Sequence, residues 1–350
     1  MKKNVDYIDS LKGIGAILIA YYHISGLIGT PTSSLQTFNK IADVLSSIGY
    51  IPVEMFFFFS GYLMVYNYAD KIKDIAFFEY IIKRIRTVYP FLMINLVGCS
   101  LYIIISGGNV SLYQILYNLL FLQSGYFPGG GDFRIDVAGG GTWFLAPLLL
   151  SYIIFFYVSK YKSEEKAFGV YGVIVIIGMI ALKNNWNYPI FNGYMLRGLL
   201  GFFTGCLFSV VVKKYGFNYT KSVKVGMLVV FLAYLSLIVF GEYTNTIDFI
   251  VVTDVLILPC IIMIIESFGW LKKIIEVNFL RRLGKLSMHL FFLNLPVAYF
   301  FKLIISDHFT ISNWVQIMLY LVCLLSFSVL LNFLIIKFAS LNNSKKQGAI

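Results

Sequence analysis

Long apolar stretches follow one another along this chain with only short polar breaks, and that succession restricts its fold more than any motif does. About 17–25 apolar residues make a helix long enough to cross the hydrocarbon of a bilayer. Such stretches lie near residues 11–30, 46–68, 88–106, 140–158, 167–182, 196–212, 224–241, 248–266, 283–303 and 313–338. Of 350 residues, 59% are hydrophobic and only 13% charged, about half the charged fraction of roughly a quarter found in soluble domains. The mean hydropathy is +0.80. Inside hydrocarbon each backbone polar group needs an internal partner, which within a single stretch only a helix provides. The expectation is an all-α fold, a polytopic integral membrane helix bundle with about ten transmembrane helices. One transmembrane domain would occupy residues 1–340, with a disordered cytoplasmic tail over 341–350.

Smaller segments fit this plan. SLYQILYNLLFLQ, between the third and fourth stretches, is too short to span and reads as an interfacial helix. The opening MKKNVDYIDSLKGIGAILIAYYHISG has a longer apolar stretch than a secretion signal, contains a His and lacks a small-x-small cleavage site, so it reads as a retained first helix. GGGDFRIDVAGGG lacks the following helix and Lys of a phosphate loop and reads as a mobile outer loop.

Charge decides orientation. With both termini cytoplasmic, 23 of the 28 Lys and Arg residues fall on inside segments, and only Lys40, Arg134, Lys183, Arg197 and Lys302 fall outside. Basic residues accumulate on cytoplasmic loops. The net charge of +11 therefore reflects topology and not a nucleic-acid partner; the expected partners include membrane lipid and exclude nucleic acid. Cys99, Cys206, Cys260 and Cys323 lie within apolar runs without paired spacing and read as small core residues, neither disulfides nor metal ligands. No metal site and no bound cofactor are expected.

Ionisable groups inside the hydrocarbon are expensive and by default mark function. His23 is the only His deep within a confident span. Lys12 precedes it by eleven residues, almost three whole turns, which puts both side chains on one face roughly 16 Å apart. Glu54 sits on the second stretch at a similar depth to His23. A carboxylate that holds one imidazole nitrogen leaves the other free to accept a hydroxyl proton, so His23 and Glu54 are the candidate catalytic pair. Lys12 would hold a phosphate at the inner surface, at the reach of a pantetheine arm from His23. Arg84 and Arg86, at the inner end of the third stretch, suit phosphate as well. Trp143 and Arg197 offer an aromatic face and a planar donor to a sugar. Plainer roles compete: His as polar glue between helices, Lys12 and the arginines as interfacial anchors, Trp143 as an ordinary interfacial aromatic. Asp254 lies mid-span in the eighth stretch, as a second polar element or a bundle contact.

Several of these residues stand in segments that resemble one family. YIDSLKGIGAILIAYYH, with Lys12 and His23 ten spacers apart, resembles the opening of the membrane-bound acyltransferase-three family. PVEMFFFFSGYLM is similar to its acidic-x-Phe-Phe-x-x-Ser-Gly segment, here Glu54, Phe56, Phe57, Ser60 and Gly61. FFEYIIKRIRTVYP, GTWFLAPLLLSY, YMLRGLLGFFTGCLFS and LGKLSMHLFFLNLPV resemble later family segments, in order. The resemblance implies transfer of an acyl group, usually acetyl, from acyl-CoA (acetyl-CoA) as co-substrate to a hydroxyl of a carbohydrate or lipid-linked glycan acceptor of the cell envelope. It implies a multi-pass protein of the bacterial cytoplasmic membrane with His23 as general base. Two positions depart from the pattern. Thr87 replaces the second Arg of the family's Arg-x-x-Arg, and Asn294 stands where many members have a His two residues before the proline. The rival reading is a transporter or flippase of a lipid-linked or small polar solute, which would show interrupted helices in matching positions of two halves.

Overall fold

Every regular element among the described residues of this computed structural model is helical. These residues are 6–34, 36–124, 126, 141–217, 219–241 and 247–347, with side chains described as far as 337. In chain order the helices are α1 (Asp6–Ile28), α2 (Gln36–Ser47), α3 (Ile51–Tyr68), α4 (Phe77–Ile105), α5 (Leu112–Leu119), α6 (Leu145–Tyr161), α7 (Glu164–Lys183) and α8 (Gly193–Tyr215). They continue with α9 (Lys221–Phe240), α10 (Ile247–Val252), α11 (Leu258–Ser267), α12 (Gly269–Ile275), α13 (Asn278–Lys285), α14 (Ser287–Phe301) and α15 (Asn313–Gln347).

Eight spans among the described residues are long and apolar enough to cross a membrane. They are α1, α4, α7, α8, α9, the continuous run Ile247–Ser267 made by α10 and α11, the run Ser287–Ser306 that begins with α14, and α15. The pair α2–α3 passes the same test jointly, with a 46° bend between them, and α6 is shorter at 17 residues. All ten stretches read from the sequence are thus helical. The glycine-rich loop GGGDFRIDVAGGG lies, up to its last glycine, outside the described residues.

Three boundaries differ from the sequence reading. The helix α4 starts at Phe77 and not near residue 88, because Lys83, Arg84 and Arg86 are excluded from an apolar core but not from a helix. The helix α2 went unnoticed because QTFNKIADVLSS is amphipathic rather than apolar throughout. The helix α15 extends to Gln347, into the segment read as a disordered tail.

Burial orders the bundle. In α8, 67% of the apolar window is buried, against 17% in both α9 and α15, so α8 is central while α9 and α15 turn most of their Leu, Ile, Val and Phe outward, as lipid-facing helices do. The most extensive packing joins α3 to α8. Gly61 and Gly205 make it possible: a Cβ on Gly61 would overlap the Phe202 carbonyl oxygen, and one on Gly205 the Phe58 carbonyl oxygen. Small residues that let backbones touch are the usual device for helix association in lipid, where burial of apolar area gives no driving force. Five-residue π turns interrupt the spans at Thr253–Ile257 and Lys302–Ser306.

Candidate active site

The local structure of α14 starts from a proline. Pro296 has no N–H, so the carbonyl four residues earlier, on Phe292, loses its helical donor. Asn95 of α4 replaces it, its Nδ2 donating to the Phe292 oxygen at 2.8 Å. An unpaired carbonyl in a buried helix would be costly, so this bond ties α4 to α14 where α14 meets α1. Two residues on, the Asn294 carbonyl accepts from the Tyr320 hydroxyl at 2.9 Å, which ties in α15 as well.

His23 of α1 meets this region. Its Nδ1 lies 2.5 Å from Asn294 Oδ1. The Asn294 side chain has its Nδ2 committed to the Phe291 carbonyl, so its oxygen is the atom turned to the imidazole. An amide oxygen only accepts, which places the ring proton of neutral His23 on Nδ1 and leaves Nε2 as the acceptor. His23 also lines a cavity of about 140 Å³ together with Tyr22, Tyr50, Val53, Trp143 and Arg197. The tautomer of the neutral imidazole is thus set from behind by an uncharged partner.

Glu54 is not that partner, which corrects the expected pairing with His23. Glu54 is fully buried, and its Oε1 accepts from Arg197 Nε at 2.6 Å and from Arg197 Nη2 in an ion pair. The reason is facial: α3 turns Glu54 towards α8, the helix its glycines let it touch, and Arg197 is the cation α8 offers there. The Arg197 guanidinium also lies over the Trp143 ring, 4.9 Å from its centroid. The sequence pairs His23 with Glu54 and gives Trp143 and Arg197 to the acceptor sugar; the structure brings His23, Trp143 and Arg197 to one cavity, with Glu54 behind Arg197. Asp254, on the first π turn, is fully buried within electrostatic reach of Glu54 and Arg197. Neither of its oxygens has a hydrogen-bond partner among the described residues.

A second cavity of about 320 Å³ opens beside Lys12 and is walled by Phe56, Phe57, Ser60, Met64, Tyr68, Phe144 and Tyr152, among others. Lys12 is part-exposed there, 3.7 Å from Asp9. Arg84 stands just behind its wall, with its guanidinium 3.5 Å from the Tyr80 ring centroid, 4.5 Å from that of Tyr68 and 5.4 Å from that of Tyr152. Its Nη1 donates to the Tyr80 carbonyl at 2.7 Å, and no carboxylate among the described residues pairs with it. Arg86 lies on the exposed face of α4 and lines neither cavity. Val53 and Phe291 line both cavities, so the two chambers meet at that pair, Lys12 in one and His23 in the other.

His289 lines neither cavity: it is buried edge-on against Phe91, 4.7 Å between ring centroids, with no hydrogen bond to either nitrogen among the described residues. Asn294 is the site residue that motif reading undervalued. In the sequence it is a departure from a His pattern, and its place two residues before Pro296, a residue that leaves a helix carbonyl without its donor, is the signal that could have found it. All four cysteines are free, and no cluster of three metal-binding side chains occurs among the described residues.

Comparison with known proteins gives one positive finding. A family model described as an acyltransferase domain matches residues 5–333. No curated protein and no solved structure matches the chain.

Proposed function

The chain belongs to this acyltransferase domain family, and on that premise we propose that it transfers an acyl group, acetyl first among them, from acyl-CoA to a hydroxyl of a carbohydrate or lipid-linked glycan of the cell envelope. It is a multi-pass membrane acyltransferase; the finer statements are our reading. The observation that carries them is the meeting of two chambers beside His23: one reaches Lys12, a cation for the donor's phosphates, and the other holds a histidine with a free Nε2 beside an aromatic and a guanidinium.

In this scheme the thioester enters from the Lys12 side and presents its carbonyl next to His23. The acceptor hydroxyl enters the smaller chamber, where Trp143 offers a face to the sugar ring and Arg197, held by Glu54, offers donors to its oxygens. His23 Nε2 takes the hydroxyl proton as the oxygen attacks the carbonyl carbon. The C–S bond breaks, the CoA thiolate leaves, and the proton passes from His23 to the sulfur. The base is regenerated and no cofactor is consumed. The excess of Lys and Arg on alternate loops supports a donor side at the cytoplasm, which in this reading is that of a bacterial cell.

The test uses purified protein in lipid vesicles, acetyl-CoA labelled in the acetyl group, and envelope glycan. Label should move to the glycan in step with release of free thiol. A transporter or flippase would move the solute and leave the thioester intact, and that outcome would overturn the reading.

A further inference from the structure

Val53 and Phe291 stand in the walls of both chambers. We propose that Val53 and Phe291 form a fixed partition between the donor chamber and the His23 chamber, and that this partition selects short, unbranched acyl groups. The inference rests on the acyl-transfer reading above and deepens it.

Both residues line both cavities and both are only 8% exposed, so each is packed on its remaining sides. Phe291 is clamped by two edge-on rings, Phe56 at 5.4 Å and Phe144 at 4.6 Å between centroids. Both of those rings belong to the wall of the larger chamber. The backbone of Phe291 is fixed as well, because its carbonyl receives the Asn294 amide whose oxygen faces His23. Val53 is β-branched and restricted about χ1, and it immediately precedes Glu54, which the Arg197 ion pair holds in place. The partition and His23 are therefore positioned by the same contacts, so the partition cannot shift without disturbing the site.

Beyond the partition the space is small. The chamber of about 140 Å³ must hold both the acyl group and the attacking hydroxyl, whereas the chamber of about 320 Å³ is filled by the pantetheine arm. A two-carbon acyl group fits this division. A branched group meets the partition sideways, and a longer chain takes the room of the acceptor.

The experiment measures binding, so that it needs no known acceptor. Purified full-length protein in lipid vesicles is titrated with non-cleavable thioether analogues of CoA bearing a two-carbon, a linear four-carbon and a branched four-carbon group. Wild type should prefer the two-carbon analogue over the branched one by about tenfold or more, the discrimination a methyl-sized misfit gives. Val53→Ala and Phe291→Leu should each bring the two analogues close to equal affinity, and Val53→Ile should sharpen the preference. A preference unchanged in both enlarging variants, with two-carbon binding retained, overturns the partition and leaves the acyltransferase reading intact. Failure of wild type to bind any of the three analogues overturns the acyl-CoA reading, and the partition with it.

Discussion

His23 Nδ1 and Asn294 Oδ1 stand 2.5 Å apart, across 271 residues of sequence. Because the amide nitrogen of Asn294 is spent on the Phe291 carbonyl, this contact selects one tautomer of the imidazole. Asn294→Leu, close in size but without an acceptor, frees both tautomers and the ring's orientation. We expect kcat to fall by about tenfold to a hundredfold, part of the 10²–10⁴ that a positioned proton acceptor supplies, with the donor KM unchanged. Unchanged kcat would separate Asn294 from the base.

Removing the imidazole has the larger effect. His23→Ala should lower the rate by about 10²–10⁴-fold while insertion and monodispersity stay normal, since a part-buried ring is lost and no charge is added. His289→Ala should be far milder, because that ring is packed against Phe91 and lines neither chamber. Wild-type turnover in the His23 variant would remove the base role.

The basic residues should separate by location. An attraction to donor phosphate is felt equally by ground state and transition state, so Lys12→Ala should raise the apparent KM for acyl-CoA and spare kcat. Arg84→Ala should lower thermal stability too, because its guanidinium sits within a cluster of three tyrosine rings. Arg86→Ala should leave donor KM near wild type, as the exposed Arg86 lines neither chamber. Donor titrations of the three variants beside thermal unfolding check the whole set.

Breaking the Glu54–Arg197 pair on one side strands the other charge at membrane depth. Either Glu54→Gln or Arg197→Met should destabilise the protein by about 3–5 kcal/mol, whereas removing both charges should recover much of the loss. Thermal scans of the two single variants and of Glu54→Leu with Arg197→Met read this coupling. Single variants that melt like wild type would show that the pair contributes little.

Asn95 is expected to matter through one backbone oxygen. Asn95→Leu leaves the Phe292 carbonyl without the donor that Pro296 cannot supply, at a cost of about 1–3 kcal/mol. It also loosens the turn that carries Asn294, so kcat should drop beside stability. A purely apolar role at this position would leave both unchanged.

What could be read in advance follows from which interactions are local. Ten apolar stretches, an alternation of basic loops and a His within the first span were legible because hydrocarbon length, helical pitch and the cost of intramembrane charge act on short segments taken alone. Segment boundaries were less legible where charge and helix formation diverge, as at Lys83, Arg84 and Arg86 in α4. The family's opening motif pointed to Lys12 and His23 for the same reason: both lie on one helix, at a spacing its pitch fixes.

The partners of those residues were decided elsewhere. Glu54 and His23 share a depth, but depth along a helix says nothing of the face a side chain presents. The close approach of α3 to α8 through Gly61 and Gly205 gives Glu54 to Arg197. The packing of α14 against α1, α4 and α15, with Asn95 bonded to the Phe292 carbonyl, brings Asn294 to His23. By itself the sequence determined the helices, their membrane character and the family; the pairing of buried charges and the meeting of two chambers at Val53 and Phe291 were decided by tertiary structure, because they depend on the rotation of each helix about its axis, which is set only by the neighbours it packs against.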